Sequence, residues 1–323
     1  MKRKHAILSA SGAHRWLNCP PSARLEAELP DEVSEYAAEG TAAHKLAEDL
    51  LRAWCNGEII ADPDTADPDM MEHVKRYVEV VMDKLGSGAE IFIEQRLDFS
   101  PWVPDGFGTG DAVIIQDGML EIIDLKYGKG VAVSAEENPQ LRLYALGAVN
   151  EFSALFDFER IRTTIVQPRL DSISSEELSL DELLEWGERI KPIAKQAYEG
   201  KGEFKAGPHC RFCKARRTCR ARAEANLEMA RFEFRKPELL SVEEVAEILA
   251  RAEELAAWAK DVKEYALTQA YRNGVKFPGW KVVEGRSTRK ITDEAALAER
   301  LAAEGHEPFK QVLKTLTELE KTV

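Results

Sequence analysis

No run of 18 or more apolar residues occurs in the chain, so it offers no candidate for a membrane-spanning helix. The opening MKRKHAILSASGAHRW is too short and too polar in its middle for a signal peptide, and the expected location is the cytosol, away from membranes. Positive charge is in deficit: 44 Lys and Arg stand against 57 Asp and Glu, a net charge of −13. That excludes a uniformly basic coat for nucleic acid, although a cleft needs only local charge. Cysteine is scarce as well. Five of them, an odd number, do not read as a disulfide framework. No internal repeat stands out.

What is present is unevenly placed. Between Lys201 and Arg222 lie eight Lys or Arg and one acid, Glu203, a basic island on an acidic protein. Three of the cysteines fall in the same stretch, HCRFCKARRTC, which points to metal chemistry. Along the chain, apolar periodicity predicts helices over 36–54 and 70–85, separated by the acidic loop ADPDTADPD. Strands follow at 91–97, DAVIIQ and MLEIIDLK. Asn138-Pro139 caps a helix, QLRLYALGAV; 161–168 is a further strand, and 180–198 a further helix. The expected class is α/β, a central mixed sheet flanked by helices. Past Cys219 come a helix over 242–272 and a small α/β unit containing GWKVVEGRSTRK, giving domains of 1–236 and 237–323.

EIIDLKYGKG (121–130) ends an apolar strand on Asp124 and Lys126, one residue apart. Alone, such a pair is a solvated salt bridge. Asp117-Gly118, however, is a two-residue hairpin signal. If residue 116 faces 119, each outward step pairs one residue on either side, and Asp111 comes opposite Asp124 with Cβ atoms roughly 4.5–5.5 Å apart. Facing carboxylates are unfavourable unless a cation sits between them, and hard oxygens of this kind suit Mg²⁺ or Mn²⁺. Lys126 points to the same face as Asp124 and can stabilise developing charge.

These residues resemble the D…(D/E)-x-K core of the PD-(D/E)XK nucleases, whose fold is restriction-endonuclease-like. EGTAAH (39–44) is similar to the G-x-x-x-H motif of the RecB-like branch, and Gln140 with Tyr144 to its Q-x-x-x-Y motif. In isolation His44 reads as a surface or capping histidine, Gln140 as surface and Tyr144 as core. The resemblance implies that His44, Asp111, Asp124 and the Leu125 carbonyl hold one or two Mg²⁺ or Mn²⁺ ions. Lys126 would serve catalysis, Gln140 and Tyr144 would position the strand, and Glu39 would orient the histidine or the ion.

Cys210, Cys213 and Cys219, with Cys19 far upstream, resemble the cysteines that hold a [4Fe–4S] cluster in RecB-like nucleases. Four thiolates also satisfy structural Zn²⁺, and His209 could replace one of them. Either centre acts as a staple between residue 19 and residues 210–219. Cys55 is left over as a buried or half-buried thiol. GWKVVEGRSTRKITDE (279–294) looks like the tail of phage and prophage nucleases encoded beside single-strand annealing proteins. The implied function is a metal-dependent DNA exonuclease of phage-type recombination or end processing, with DNA and a single-strand annealing or single-strand-binding protein as partners.

The alternatives are a DNA-binding or assembly protein with a degenerate site, and a structure-selective endonuclease. An apolar stripe on 242–272 (Val245, Leu249, Ala252, Leu255, Ala259) would serve assembly. Candidate phosphate contacts are Lys129, Lys214, Arg216, Arg217, Arg220, Arg222, Arg286, Arg289 and Lys290, each with an exposed basic loop as the alternative. Trp16 and Trp102 are candidates for base stacking or for core.

Overall fold

The computed structural model describes residues 6–30, 35–58, 67–229, 242–285 and 293–309. It divides into two compact units, Met1–Tyr265 and Ala266–Val323. The boundary expected at residue 236 lies outside the described residues.

The first unit begins with two short helices, α1 (Ala13–Asn18) and α2 (Ser22–Ala27), and then α3 (Glu35–Cys55) and α4 (Pro68–Asp83). Strands β1 (Glu90–Asp98), β2 (Phe107–Gln116) and β3 (Met119–Leu125) form a meander. Helix α5 (Pro139–Phe152) crosses to β4 (Arg160–Gln167), which runs parallel to β3, and β5 (Ser172–Ser179) closes the sheet antiparallel. The strand order is β1-β2-β3-β4-β5, a five-stranded mixed sheet. Helices α6 (Leu180–Glu199), α7 (Arg220–Met229) and α8 (Val242–Asn273) follow, and α9 (Glu294–Ala303) lies in the second unit.

Two cores explain the layers. On one face Leu97, Val113, Ile122 and Ile161 pack with Leu141, Ala145 and Ala148 of α5 and Leu183 and Ile190 of α6. On the other, Ile114, Ile123 and Leu125 pack with Ala43, Ala47 and Leu50 of α3 and Val74, Val78 and Val81 of α4. β3 is covered on both sides, which is why MLEIIDL carries apolar residues on both faces, interrupted only by Glu121 and Asp124, rather than alternating. Its hairpin with β2 turns through Asp117 (φ 48°) and Gly118 (φ 70°), two left-handed residues as a type I′ turn requires.

Local signals hold at the helix starts. Asn138 caps α5 through its side chain with Pro139 in the first turn, and Ser179 with Glu182 forms a capping box on α6. Gly147 lets α5 touch β1: a Cβ there would lie 2.8 Å from Leu97 Cβ and 3.1 Å from the Leu97 carbonyl carbon. Gly147→Ala is therefore expected to push the helix off the sheet and lose roughly 1–3 kcal/mol in urea unfolding. An unchanged unfolding midpoint would mean that the helix shifts freely.

One strand lies outside the sequence expectation. β5 was not expected, because SISSEELS is polar; it is an edge strand. Its Glu176 and Glu177 pair with Arg142 and Arg162. Of the small C-terminal α/β unit the described residues show α9, with Trp280, Val282 and Val283 exposed, and residues 286–292 and 310–323 lie outside them. The α8 stripe is only partly open: Val245 and Leu249 are exposed, whereas Ala252, Leu255 and Ala259 are half-covered. Among the described residues no helix is long and apolar enough to cross a membrane.

Candidate functional site

The hairpin ladder runs from Gln116↔Met119 to Ala112↔Ile123, so the next residues outward are Asp111 and Asp124, as the turn predicts. At this step the strands part. Leu125 N–H donates to Asp111 Oδ2 (2.7 Å) instead of to a backbone carbonyl. Asp124 is 2 % exposed. Lys126 Nζ stands 2.7 Å from Asp124 Oδ2 as an ion pair, although the approach angle leaves that buried oxygen without a directional hydrogen bond. Burial pushes the Asp124 carboxyl up; Lys126 pulls against it and Asp111 adds to it. Burial disfavours the Lys126 ammonium, but Asp124 and Asp111 outweigh it, so its pKa rises.

Lys126 Nζ also donates to Gln140 Oε1 (3.0 Å), and Gln140 Nε2 in turn donates to Asp124 Oδ1 (3.3 Å) and Tyr144 Oη (3.2 Å). The four-residue spacing on α5 puts Gln140 and Tyr144 on one helical face, as the sequence suggests. Gly108 makes room for the tyrosine: a Cβ there would lie 2.6 Å from the Tyr144 ring. Burial, then Asp124, keeps the Tyr144 phenol neutral.

His44, from α3, places Nδ1 3.2 Å from Asp111 Oδ1. Burial opposes its charge, but the hydrogen bond to Asp111 and the nearby Asp124 raise its pKa overall. A fourth group was not expected from the sequence. Ligand atoms of His44, Glu94 and Asp111 all lie within 4.8 Å of one another, the one such trio among the described residues. The β1–β2 register is identical on either side of a single gap, and the two residues facing each other across that gap are Glu94 and Asp111. Phe92 and Leu97 pack on the α5 side while Ile91 and Ile93 pack on the other, so β1 turns over once between them. Glu94, at φ 51°, is where it turns. Left-handed backbone is uncommon for glutamate, and here it aims a carboxylate at the histidine and Asp111.

Glu94 is pushed up to about 7, first by burial and then by Asp111, with His44 opposing. A carboxyl whose folded pKa exceeds its unfolded one lowers stability as the pH rises from the unfolded value through the folded one. In a chelator, Glu94→Gln is therefore expected to melt above wild type at about pH 8, the gap closing toward about pH 4. A wild-type protein that melts higher at both pH values without metal would contradict this.

Glu39 does not orient His44. The two are five residues apart on a helix, about 140° around its axis, and Glu39 pairs instead with Arg169 (2.9 Å), whose guanidinium also lies over the Tyr127 ring.

The four distant cysteines meet. Cys19, Cys210, Cys213 and Cys219 line one cavity, the first three buried and Cys219 half-buried. Burial, then Glu26, pushes the Cys213 thiol up to about 11, and burial raises Cys210. Thiolates in such surroundings need a metal's positive charge beside them. His209 also lines the cavity, and its Nε2 is engaged with the Lys205 carbonyl (2.8 Å). Cys55 is exposed at the end of α3, not buried.

Around this centre much of the basic island is used internally. Lys214 N–H donates to Glu26 Oε1 (2.8 Å) and its Nζ to the Glu26 carbonyl (3.3 Å); Arg15 also pairs with Glu26. Arg216 pairs with Asp261 (3.5 Å). Arg222, a candidate phosphate contact, is buried and pairs with Glu254 and Asp261 of α8. Arg217 is half-buried, while Arg220 and Lys129 are exposed. Arg286, Arg289 and Lys290 lie outside the described residues. Trp16 is core, its Nε1 donating to the Ser9 carbonyl (3.1 Å), and Trp102 packs partly buried against the same core.

A family model described as "Protein of unknown function (DUF2800)" matches residues 5–323. A solved structure titled "Crystal structure of SSO0001" is similar at 16 % identity and a TM-score of 0.32, covering 68 % of this chain and 88 % of that one.

Proposed function

The chain belongs to the DUF2800 family, and we propose that it is a divalent-metal-dependent deoxyribonuclease with a restriction-endonuclease-like core, acting as an exonuclease on DNA ends. One observation carries this reading. His44, Glu94, Asp111 and Asp124, from four different elements, converge beside a lysine held in place by Gln140. Packing alone gives no reason to gather three carboxylates, and oxygen donors with one imidazole suit Mg²⁺ or Mn²⁺.

The buried Asp124 Oδ2 without a directional hydrogen bond fits a ligand for such an ion. His44, Glu94, Asp111 and Asp124 would hold it, and the Leu125 carbonyl completes the proposed set. When bound, the ion supplies Lewis acidity at a phosphate oxygen and an acidified water. Lys126 places a fixed positive charge beside the phosphate, where negative charge develops. Gln140, bonded to both Lys126 and Asp124, fixes the ammonium in place on the carboxylate, and the neutral Tyr144 hydroxyl remains a donor for the strand. Lys129 and Arg220, both exposed, are proposed phosphate contacts. A role in recombination, beside a single-strand annealing or single-strand-binding protein, rests on the resemblance of 279–294 alone.

For the cysteine centre we propose [4Fe–4S]. Tetrahedral Zn²⁺ with Zn–S bonds of about 2.3 Å draws its sulfurs to within about 3.8 Å of each other. These four line one cavity, yet no three of them lie within 4.8 Å of one another among the described residues. A cluster of four irons spreads its thiolates wider than one ion does. Protein purified without oxygen should be brown and contain iron, and Cys213→Ser should lose the colour and melt lower. Zinc in place of iron would replace this assignment.

The activity is tested on end-labelled linear duplex and closed circular DNA in Mg²⁺ or Mn²⁺, with a chelator control. Linear DNA should be degraded, circles left intact, and the chelator should stop the reaction. Cutting of closed circles would make the protein an endonuclease. No cleavage of either form would sink the enzyme and favour a DNA-binding or assembly protein with a degenerate site.

A further inference from the structure

Helix α4 presents Met71, Val74, Tyr77, Val78 and Val81 to the sheet, an apolar stripe at helical spacing. The Tyr77 ring belongs to that core; its hydroxyl has no place in it. The side chain is 0 % exposed, and its oxygen has no hydrogen-bond partner among the described residues. Buried hydroxyls are almost always paired, and an unpaired one is unfavourable.

Tyr77 shares its core cluster with Ala43, Ala112 and Ile123, with Ile93 packed against them, the immediate chain neighbours of His44, Asp111, Asp124 and Glu94, so its ring lies beside the candidate cation site. The charges of Asp111, Asp124 and Glu94 act on its phenol. Burial, then these charges, holds the phenol neutral, so it does not act as an anionic ligand. A neutral hydroxyl near three carboxylates, with no protein partner, suits a water bound to a cation. Such a water is polarised and donates strongly.

We propose that the Tyr77 hydroxyl is a positioning group of the cation site, accepting a hydrogen bond from a water in the hydration shell of the divalent ion held by His44, Glu94, Asp111 and Asp124. The inference rests on the metal-site reading above. It explains why α4, which contributes none of those ligands, carries a tyrosine at a position where phenylalanine would pack equally well.

Mn²⁺ is titrated into wild type, Tyr77→Phe and Asp111→Asn, following free Mn²⁺ by electron paramagnetic resonance, and each protein is melted in a chelator. Tyr77→Phe should bind Mn²⁺ roughly tenfold more weakly, the usual effect of removing an outer partner of a metal site. Without metal it should melt at or above wild type, because an unpaired hydroxyl has been removed. If Asp111→Asn loses Mn²⁺ while Tyr77→Phe binds it like wild type, the hydroxyl has no such role. A lower melting temperature of Tyr77→Phe in chelator would also overturn the proposal, since it would reveal a partner within the protein. If Asp111→Asn binds Mn²⁺ as wild type does, the metal site itself falls, and the inference with it.

Discussion

Replacing Lys126 with alanine is expected to slow cleavage of end-labelled linear DNA by about 10²–10³-fold, the usual loss when one preorganised donor to a developing charge is removed. Two effects add here. On the proposed mechanism the ammonium would be lost from beside the scissile phosphate, and Asp124, 2 % exposed, loses the cation 2.7 Å away that offsets its burial. The carboxyl should then take up a proton more readily and hold metal less well, so part of the loss should return at higher Mn²⁺ and higher pH. Lys126→Arg should recover little. The ammonium reaches Asp124 and Gln140 at once as a compact point charge, and a planar guanidinium does not reproduce that geometry. Activity within about threefold of wild type, less than 0.7 kcal/mol in the barrier, would remove Lys126 from the mechanism.

Glu121→Ala should lower stability by about 3 kcal/mol, with Mn²⁺ binding unchanged. Among the described residues Glu121 is the deepest carboxylate besides Asp124, also 2 % exposed, and lies on the α4 side of β3. It binds Lys84 Nζ (2.5 Å), accepts from Thr164 Oγ1 (2.7 Å) and stands 3.5 Å from Arg162 Nη1. Truncating it leaves two cations and a hydroxyl without their common acceptor. The partners are partly open to water, which places the loss at the low end for a buried pair. Urea unfolding at neutral pH measures it. A loss under about 1 kcal/mol would mean that water replaces the carboxylate without penalty.

Much of the site is legible because its residues are fixed by short-range chemistry. Asp117-Gly118 demands one turn type, that turn demands one register, and the register brings Asp111 to Asp124. Gln140 and Tyr144 need only helical spacing, and the Asn138-Pro139 cap supplies the helix. Glu94 was not legible for the same kind of reason. The connection from β1 to β2 runs through residues 99–106, too long to set a register, and nothing in IFIEQRL announces that the strand turns over at its glutamate. The basic island misled because partners such as Glu26 and Asp261 are distant in sequence, so charge density there records internal pairing as much as a surface. Arg222 is the clearest case: it reads as a phosphate contact and is a buried clamp on α8. β5 was missed because a strand with one face in water and an unpaired edge needs few apolar residues.

That left-handed Glu94 has a further effect at the outer margin of the sheet. An edge strand offers its free amides and carbonyls as a template on which another chain can polymerise. β1 and β5 are the two margins. β5 protects itself with serines and glutamates. β1 is long and apolar, and is the more exposed to the danger. Its kink at Glu94 breaks the repeat an incoming strand would follow, and Arg52 donates to the Ile93 carbonyl just before it (3.0 Å). One residue thus turns a carboxylate inward and leaves the edge a poor seed for aggregation.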